Sequence, residues 1–354
     1  MAIILIILIS VYLLTYLFVI FNFLKKEEQS KNKEEKAISV LIPFKDESEN
    51  LKNLIHSLNK LKYSNFEVIF INDNSSDNSI SIIDNENINF KYAIYHSTKK
   101  GKKKAIELGV KKAVNEYIVT TDADCVVNSN WLNEINTGFS SNEDMLILPV
   151  IGKKGNMLQN VLSIEQLSLT GTYLALPFFN SGANLAYKKA WFNKINPYKN
   201  DELASGDDVF FLHKTIKEKG SIKTVKTFNA AVLTEMPETS KEFILQRIRW
   251  YSKSKSFKNK TALIFGFVLV LINVAQVLAY VLPFFDIIFL NACLIYLLLK
   301  VIIDFSFLFL VATRFNQKYL LKYFVFTEFL YPFYVIMIPV LSLFIKPIWK
   351  GRQI

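Results

Sequence analysis

Asp122 and Asp124, one residue apart, follow a short apolar run, Tyr117-Ile118-Val119-Thr120-Thr121. On an extended chain alternate side chains share a face, so both carboxylates point the same way. Such a pair can hold a hard divalent cation that completes its shell with water and substrate phosphate oxygens; a solvated turn is the plain alternative. Gly206-Asp207-Asp208 precedes Val209-Phe210-Phe211-Leu212, an apolar helix start. Aspartate there suits a helix cap, and equally a general base that takes a proton from an attacking hydroxyl. Further on, Gln246 and Arg249 are three apart and share a face if the segment is helical, with Trp250 beside them. Polar groups of this kind can grip a diphosphate while the indole stacks on a sugar ring. An amphipathic helix at a membrane surface uses the same Arg and Trp. Asp73, in Ile71-Asn72-Asp73-Asn74-Ser75-Ser76-Asp77, can accept a hydrogen bond from a nucleobase N–H, although so Asn-, Asp- and Ser-rich a stretch forms a turn in any case. Lys102 sits in the run Lys99-Lys100-Gly101-Lys102-Lys103-Lys104 and suits a phosphate or base oxygen, or solvent alone.

These residues need elements to position them. Residues 39–43, 67–71, 91–96 and 117–121 read as strands, and 51–61 and 102–114 as helices. Short apolar strands alternating with helices predict an α/β fold with a mostly parallel central sheet. In such sheets ligands bind beyond the carboxyl ends of the strands, where Asp73, Asp122 and Asp124 stand.

The chain is 51% hydrophobic with 30 Phe, high for a soluble domain, and the apolar residues gather at both ends. Residues 1–24 are uncharged, long enough to cross a bilayer core, and followed by Lys25-Lys26-Glu27-Glu28. With no basic leading region and no small-residue cleavage site, they read as an anchor rather than a cleaved signal. Residues 262–311 are apolar apart from a break at Pro283 and Asp286, which predicts a helical hairpin. A third stretch, 323–345, is interrupted by Glu328 and Pro332; all three are membrane-helix candidates. The net charge of +11 could signal nucleic-acid binding, but no helix-turn-helix, zinc-finger or stacking-platform pattern accompanies it. Anionic lipid and a diphosphate ligand fit better. Cys125 and Cys293 lie in contexts too different to predict a disulfide, and no cysteine spacing is of a metal type. The expected organisation is an anchor (1–24), a charged tether (25–36), a catalytic domain (37–245), an interfacial segment (246–260) and a membrane region (261–354).

The order of motifs resembles the membrane-bound members of glycosyltransferase family two, which includes cellulose, chitin and hyaluronan synthases and ceramide glucosyltransferases. The likeness runs from about residue 39 to residue 250. Pro43-Phe44-Lys45-Asp46-Glu47 is similar to the family's Pro-x-x-Asn-Glu opening, and Asn72-Asp73 to its Asp-Asp pair. Gly101-Lys102-x-x-Ala105 looks like its nucleotide-holding segment, although Ile106-Glu107 follows where Leu-Asn is usual. Asp122-x-Asp124 matches the metal pair, Gly182-Ala183-Asn184 the Gly-x-Asn segment, and Gly206-Asp207-Asp208 the Thr-Glu-Asp motif. Gln246, Arg249 and Trp250 match Q-x-x-R-W.

This resemblance implies a GT-A, Rossmann-like nucleotide-sugar domain flanked by transmembrane helices. It implies inverting, metal-dependent transfer from a UDP-sugar, with Asp208 as base and Mg²⁺ or Mn²⁺ on Asp122 and Asp124. By the same resemblance Pro43, Glu47, Asp73, Lys102, Asp122, Gln246 and Arg249 serve the nucleotide donor. Gly182, Asn184, Asp207 and Trp250 serve the donor-sugar and acceptor side. The expected partners are a UDP-sugar, a lipid-linked or glycan acceptor, and membrane lipids. UDP-sugars are cytosolic, so the domain is expected to face the cytoplasm, with the basic loop 314–322 on the same side. A simple last span would leave Lys346, Lys350 and Arg352 outside, against the positive-inside rule, so the last stretch is expected to be re-entrant or split at Pro332. A processive polysaccharide synthase shares this chemistry, although few spans make a thin channel for a polymer. A non-catalytic nucleotide-binding membrane protein is the reading from another class; the intact Asp122, Asp124, Asp208 and Arg249 stand against it.

Overall fold

The computed structural model describes residues 2–26, 34–199, 206–254 and 259–345, with the strand segments Ile348–Trp349 and Arg352–Gln353 beyond them. Residues 27–33 of the expected tether, and Lys346 and Lys350 of the basic tail, lie outside the described residues. In chain order the elements begin α1 (Ala2–Leu24), β1 (Ile38–Phe44), α2 (Leu51–Leu58), β2 (Phe66–Asn72), α3 (Ser79–Asn85), β3 (Lys91–His96), α4 (Lys102–Lys112) and β4 (Tyr117–Thr121). They continue β5 (Cys125–Val127), α5 (Trp131–Gly138), β6 (Met145–Ile147), β7 (Val150–Gly152), α6 (Met157–Ala175), β8 (Asn184–Lys188), α7 (Lys189–Ile195) and α8 (Asp207–Lys217). β9 (Ile222–Thr224), β10 (Val232–Thr234), α9 (Ser240–Ser254), α10 (Lys260–Val281), α11 (Leu290–Arg314) and α12 (Phe324–Leu341) complete the series.

The chain folds into two compact units that do not follow its linear order. One, the sheet unit, comprises Lys26–Lys153 and Pro177–Glu235; the other, the helical unit, comprises Met1–Lys25, Lys154–Leu176 and Met236–Ile354. The expected catalytic domain, 37–245, is therefore interrupted: α6 belongs with the helical unit.

In the sheet unit β1 is buried along its whole length and β2 along all but its first residue. That explains their near-continuous apolar sequences, since a parallel strand is covered on both faces. The seven-stranded order is β3-β2-β1-β4-β8-β6-β9. β3, β2, β1 and β4 run parallel, whereas β8 is antiparallel to both its neighbours. That reversal matters for the site. It pairs Thr121, at the carboxyl end of β4, with Asn184, at the start of β8, so the 181–184 segment arrives beside Asp122. Beneath lies a core containing Ile42, Phe70, Val119, Trp131 and Leu146, each aliphatic side chain contributing about 1.5–3 kcal/mol on full burial.

Cross-links hold the loops after β1 and β2 together. Ser76 N–H donates to Asp46 Oδ1 (2.7 Å), Ser48 N–H to Asp77 Oδ2 (2.9 Å), and Glu47 N–H to Ser79 Oγ (2.8 Å). The Pro43–Glu47 and Asp73 segments are thereby one stitched rim.

In the helical unit, Ile3–Leu24, Lys260–Phe284, Ile287–Arg314 and Lys318–Leu341 are long and apolar enough to cross a membrane; they mark the chain as a membrane protein. The hairpin breaks where Pro283 and Asp286 predict, between α10 and α11. Pro332 does not divide the last stretch: α12 runs unbroken through Pro332 and Pro339. Inside this unit Lys300 reaches Asp304 Oδ2 at 2.6 Å and Glu328 Oε1 at 2.7 Å. Tyr12 donates to Asp304, and Gln276 Nε2 to Glu328 Oε1 at 3.1 Å.

Candidate active site

The sheet unit brings four of the sequence motifs to one rim. β4 delivers Asp122 at its carboxyl end, and α4 begins at Lys102, whose ammonium lies 2.6 Å from Asp122 Oδ1 and 3.4 Å from Asp207 Oδ2. Burial works against the charge of that lysine. The charges of Asp122, then Asp207, outweigh it and hold Lys102 protonated well above the usual lysine range. Asp207 and Asp208 occupy the first turn of α8, where the helix N-terminus favours negative charge. Gly206 enters that turn at φ +87, a conformation glycine adopts without Cβ strain.

Asp208 is held from two sides: Gly182 N–H donates to Oδ2 at 2.9 Å and Val209 N–H to Oδ1 at 2.8 Å. Gly182 is packed close against the same side chains. A Cβ there would sit 2.8 Å from Asp207 Oδ2, 3.3 Å from Asp208 Cβ and 3.4 Å from Lys102 Nζ. On the other side, Asp73 is buried beyond β2, and its Oδ1 accepts from Gly101 N–H at 2.8 Å, tying the start of α4 to the rim. Pro43 lies within β1, and Glu47 Oε2 accepts from Asn50 Nδ2 at 2.8 Å.

The residues fit a divalent cation by their chemistry. Asp124 is pushed up to about 6, first by its withdrawal from water, then by the negative charges of Asp122 and Glu47. Crowded hard oxygens of this kind are relieved by a bound dication. Among the described residues no three acidic, His or Cys side chains cluster as a metal site, so water and substrate oxygens would have to complete the shell. Burial, then the charges of Asp124 and Asp122, push the neighbouring Cys125 thiol well above the usual range.

Asn184 stands apart from the rim. It is fully buried, its Oδ1 accepting from Trp131 Nε1 (3.1 Å) and its Nδ2 donating to the carbonyls of Pro149 (2.7 Å) and Ala230 (2.9 Å). It pins the start of β8, two residues after Gly182.

Gln246, Arg249 and Trp250 lie on α9 of the helical unit, so the helical spacing read from their sequence holds. Two residues there went unmarked in the sequence. Glu165 Oε2 accepts from Arg247 Nε (3.1 Å) and Nη2 (2.7 Å), and the pair is almost entirely buried. Their separation in the chain leaves no local signal.

Comparison with known proteins follows the same lines. The family described as Glycosyl transferase family 2 matches residues 39–196. A poly-beta-1,6-N-acetyl-D-glucosamine synthase of Staphylococcus epidermidis is 31% identical over 148 residues, 40% of this chain and 36% of that protein. The Staphylococcus aureus (strain COL) protein of the same name is 29% identical over 153 residues, 42% of this chain and 37% of its own length. The matches thus span little more than a third of these relatives. Among solved structures, a mannosyltransferase from Pyrobaculum calidifontis, in complex with GDP-Man and Mn²⁺, is similar over 97% of both chains at 13% identity and a TM-score of 0.57. That likeness is one of fold: a GT-A domain with a mostly parallel central sheet. With its motifs in order along that sheet, the chain carries a segment, residues 39–196, that matches glycosyl transferase family 2.

Proposed function

We propose that the chain is an inverting, metal-dependent glycosyltransferase that moves a sugar from a UDP-sugar to a lipid-linked or cell-envelope glycan acceptor at the cytoplasmic face of the membrane. The observation that carries this reading is Asp208, fixed by the backbone N–H groups of Gly182 and Val209 beside the Lys102–Asp122 pair. Each carboxylate oxygen keeps a second lone pair, so Asp208 can accept the acceptor's hydroxyl proton. The freed oxygen attacks the anomeric carbon from the face opposite the leaving diphosphate, and configuration inverts. A divalent cation held by Asp122 and Asp124 would offset the charge growing on the departing UDP. Lys102 adds a fixed positive charge beside them. Asp73 is assigned to the uracil, with Pro43 and Glu47 on the same nucleotide. Gln246 and Arg249 are assigned to the diphosphate, and Trp250 to the acceptor. Asn184, with its polar atoms occupied, acts by holding Gly182 in place.

The names of the curated relatives favour a second reading within this chemistry, a processive polysaccharide synthase, and make UDP-N-acetylglucosamine the first donor to test. Membranes carrying the full chain are incubated with a panel of UDP-sugars and Mn²⁺. The expected result is UDP release with one donor, lost on chelation, and reduced about 10²–10⁴-fold by Asp208→Asn with UDP binding retained. No release with any donor rejects the enzyme reading, and normal turnover by Asp208→Asn rejects the base. Product length separates single from processive addition.

A further inference from the structure

The two residues of the pentad that its pattern leaves open are Arg247 and Ile248, and both are buried. For Ile248 burial is ordinary. For Arg247 it is not, because a guanidinium almost never leaves water unless it is fully engaged. Its engagements are specific. Nε and Nη2 converge on Glu165 Oε2, and the other oxygen of Glu165 accepts from the Tyr334 hydroxyl on α12. The guanidinium carbon lies 4.0 Å from the centroid of the Trp250 ring and 4.7 Å from that of Phe243. Finally, Arg247 Nη1 donates to Gln246 Oε1 at 3.2 Å.

That last bond decides which way the Gln246 amide points. Arginine carries only donors, so the amide group facing it must be the oxygen. Nε2, with its two N–H donors, is then turned away from Arg247, and no described residue accepts from it. We propose that Arg247, anchored by Glu165, is a positioning residue. It sets Gln246 with its N–H donors presented to an anionic oxygen, the diphosphate of the donor nucleotide, and it braces the Trp250 ring from one side. This assignment rests on the reading of the chain as a nucleotide-sugar transferase and deepens it. It extends the functional pentad to a residue on α6, far away in sequence.

A lysine could keep the charge at position 247 but not the geometry. It has no planar fork to reach a carboxylate, an amide oxygen and an aromatic face together. A glutamate at 247, paired with an arginine at 165, would restore a buried ion pair. It would accept from Gln246 Nε2, however, and so turn the amide round.

The test uses the full chain in detergent or nanodiscs, with KM for the nucleotide-sugar, kcat and Tm read together. Glu165→Gln is expected to raise KM about tenfold, the scale of one hydrogen bond to a charged group, with Arg247→Lys giving the same result where Glu165→Gln folds poorly. The exchange Glu165→Arg with Arg247→Glu is expected to recover Tm but not KM. In a Gln246→Ala background, Glu165→Gln is expected to add no further loss, since its effect passes through that amide. Wild-type KM in Glu165→Gln, recovery of both Tm and KM by the exchange, or an undiminished loss in the Gln246→Ala background each overturns the proposal. If the wild-type chain turns over no nucleotide-sugar, the underlying reading falls and takes this one with it, a failure visible before any variant is made.

Discussion

Gly182 has only a hydrogen where any other residue would place a carbon 2.8 Å from Asp207 Oδ2 and 3.3 Å from the Cβ of Asp208. Asp207 can swing aside; the first carbon of Asp208 cannot move without displacing its carboxylate. Gly182→Ala is therefore expected to lower kcat about 10²-fold, the cost of a shift of about 1 Å in a reacting group, with Tm close to that of wild type. Equal kcat values in the two proteins would show that Asp208 needs no such placement. At this scale the sequence was most informative where chemistry sits in consecutive residues at a strand or helix end, as in Asp122-x-Asp124 and Asp207-Asp208. It was least informative where the partner is remote. Nothing local announces that Glu165 will meet Arg247, 82 positions away. Asn184 shows another limit. Its polarity and motif position point to a ligand, yet the register of β8 against β4 turns it into the core, where Trp131 and two carbonyls consume it.

Among elements, the long parallel strands were legible because burial on both faces leaves nearly unbroken apolar runs, and β1 to β4 fall on the segments so read. The three-residue β6 and β9 leave too short a pattern. α6 was hidden for a different reason. It buries Asn160, Ser163, Glu165, Gln166, Thr170 and Thr172 among its apolar residues, so no apolar stripe marks it. The stitched rim between the β1 and β2 loops gives the element-scale prediction. Burial would raise the Asp77 carboxyl, but bonds from the Ser79 hydroxyl and from the backbone N–H groups of Ser48 and Ser79 bring it down to about 2 from an ordinary 3.8. A depressed carboxyl contributes stability above its unfolded value and loses that contribution as pH falls through the folded one. Asp77→Asn, which must turn an N–H donor toward one of these donors, is expected to cost about 1–2 kcal/mol near neutral pH. Thermal melts should show the gap from wild type narrowing from about pH 4 downward and closing near pH 2. A gap that stays constant across that window would mean that ionised Asp77 does not hold the rim.

At the scale of the molecule, four apolar helices surround charges that a bilayer does not tolerate singly. Lys300 and Asp304 on α11, Glu328 on α12, Gln276 on α10 and Tyr12 on α1 form one connected set, so a single network touches all four spans. The interruptions at Glu328 and Pro332 were visible in the sequence, but that Glu328 is answered by Lys300, 28 positions earlier, was not. Two effects could make this network hold the helices. Hydrogen bonds between membrane helices average only about 0.6 kcal/mol each, whereas stripping the partner from a buried charge costs about 3–5 kcal/mol. Charge balance should therefore dominate. Lys300→Met, which leaves two acids facing each other without a cation, is expected to lower Tm and the yield of folded protein sharply. Adding Asp304→Asn and Glu328→Gln to the same chain should recover most of the loss, since a neutral hydrogen-bonded set carries no uncompensated charge. A Lys300→Met protein that melts like wild type would show that charge balance does not hold the four spans together. A triple variant no better than the single one would assign the loss to packing around the lysine stem instead.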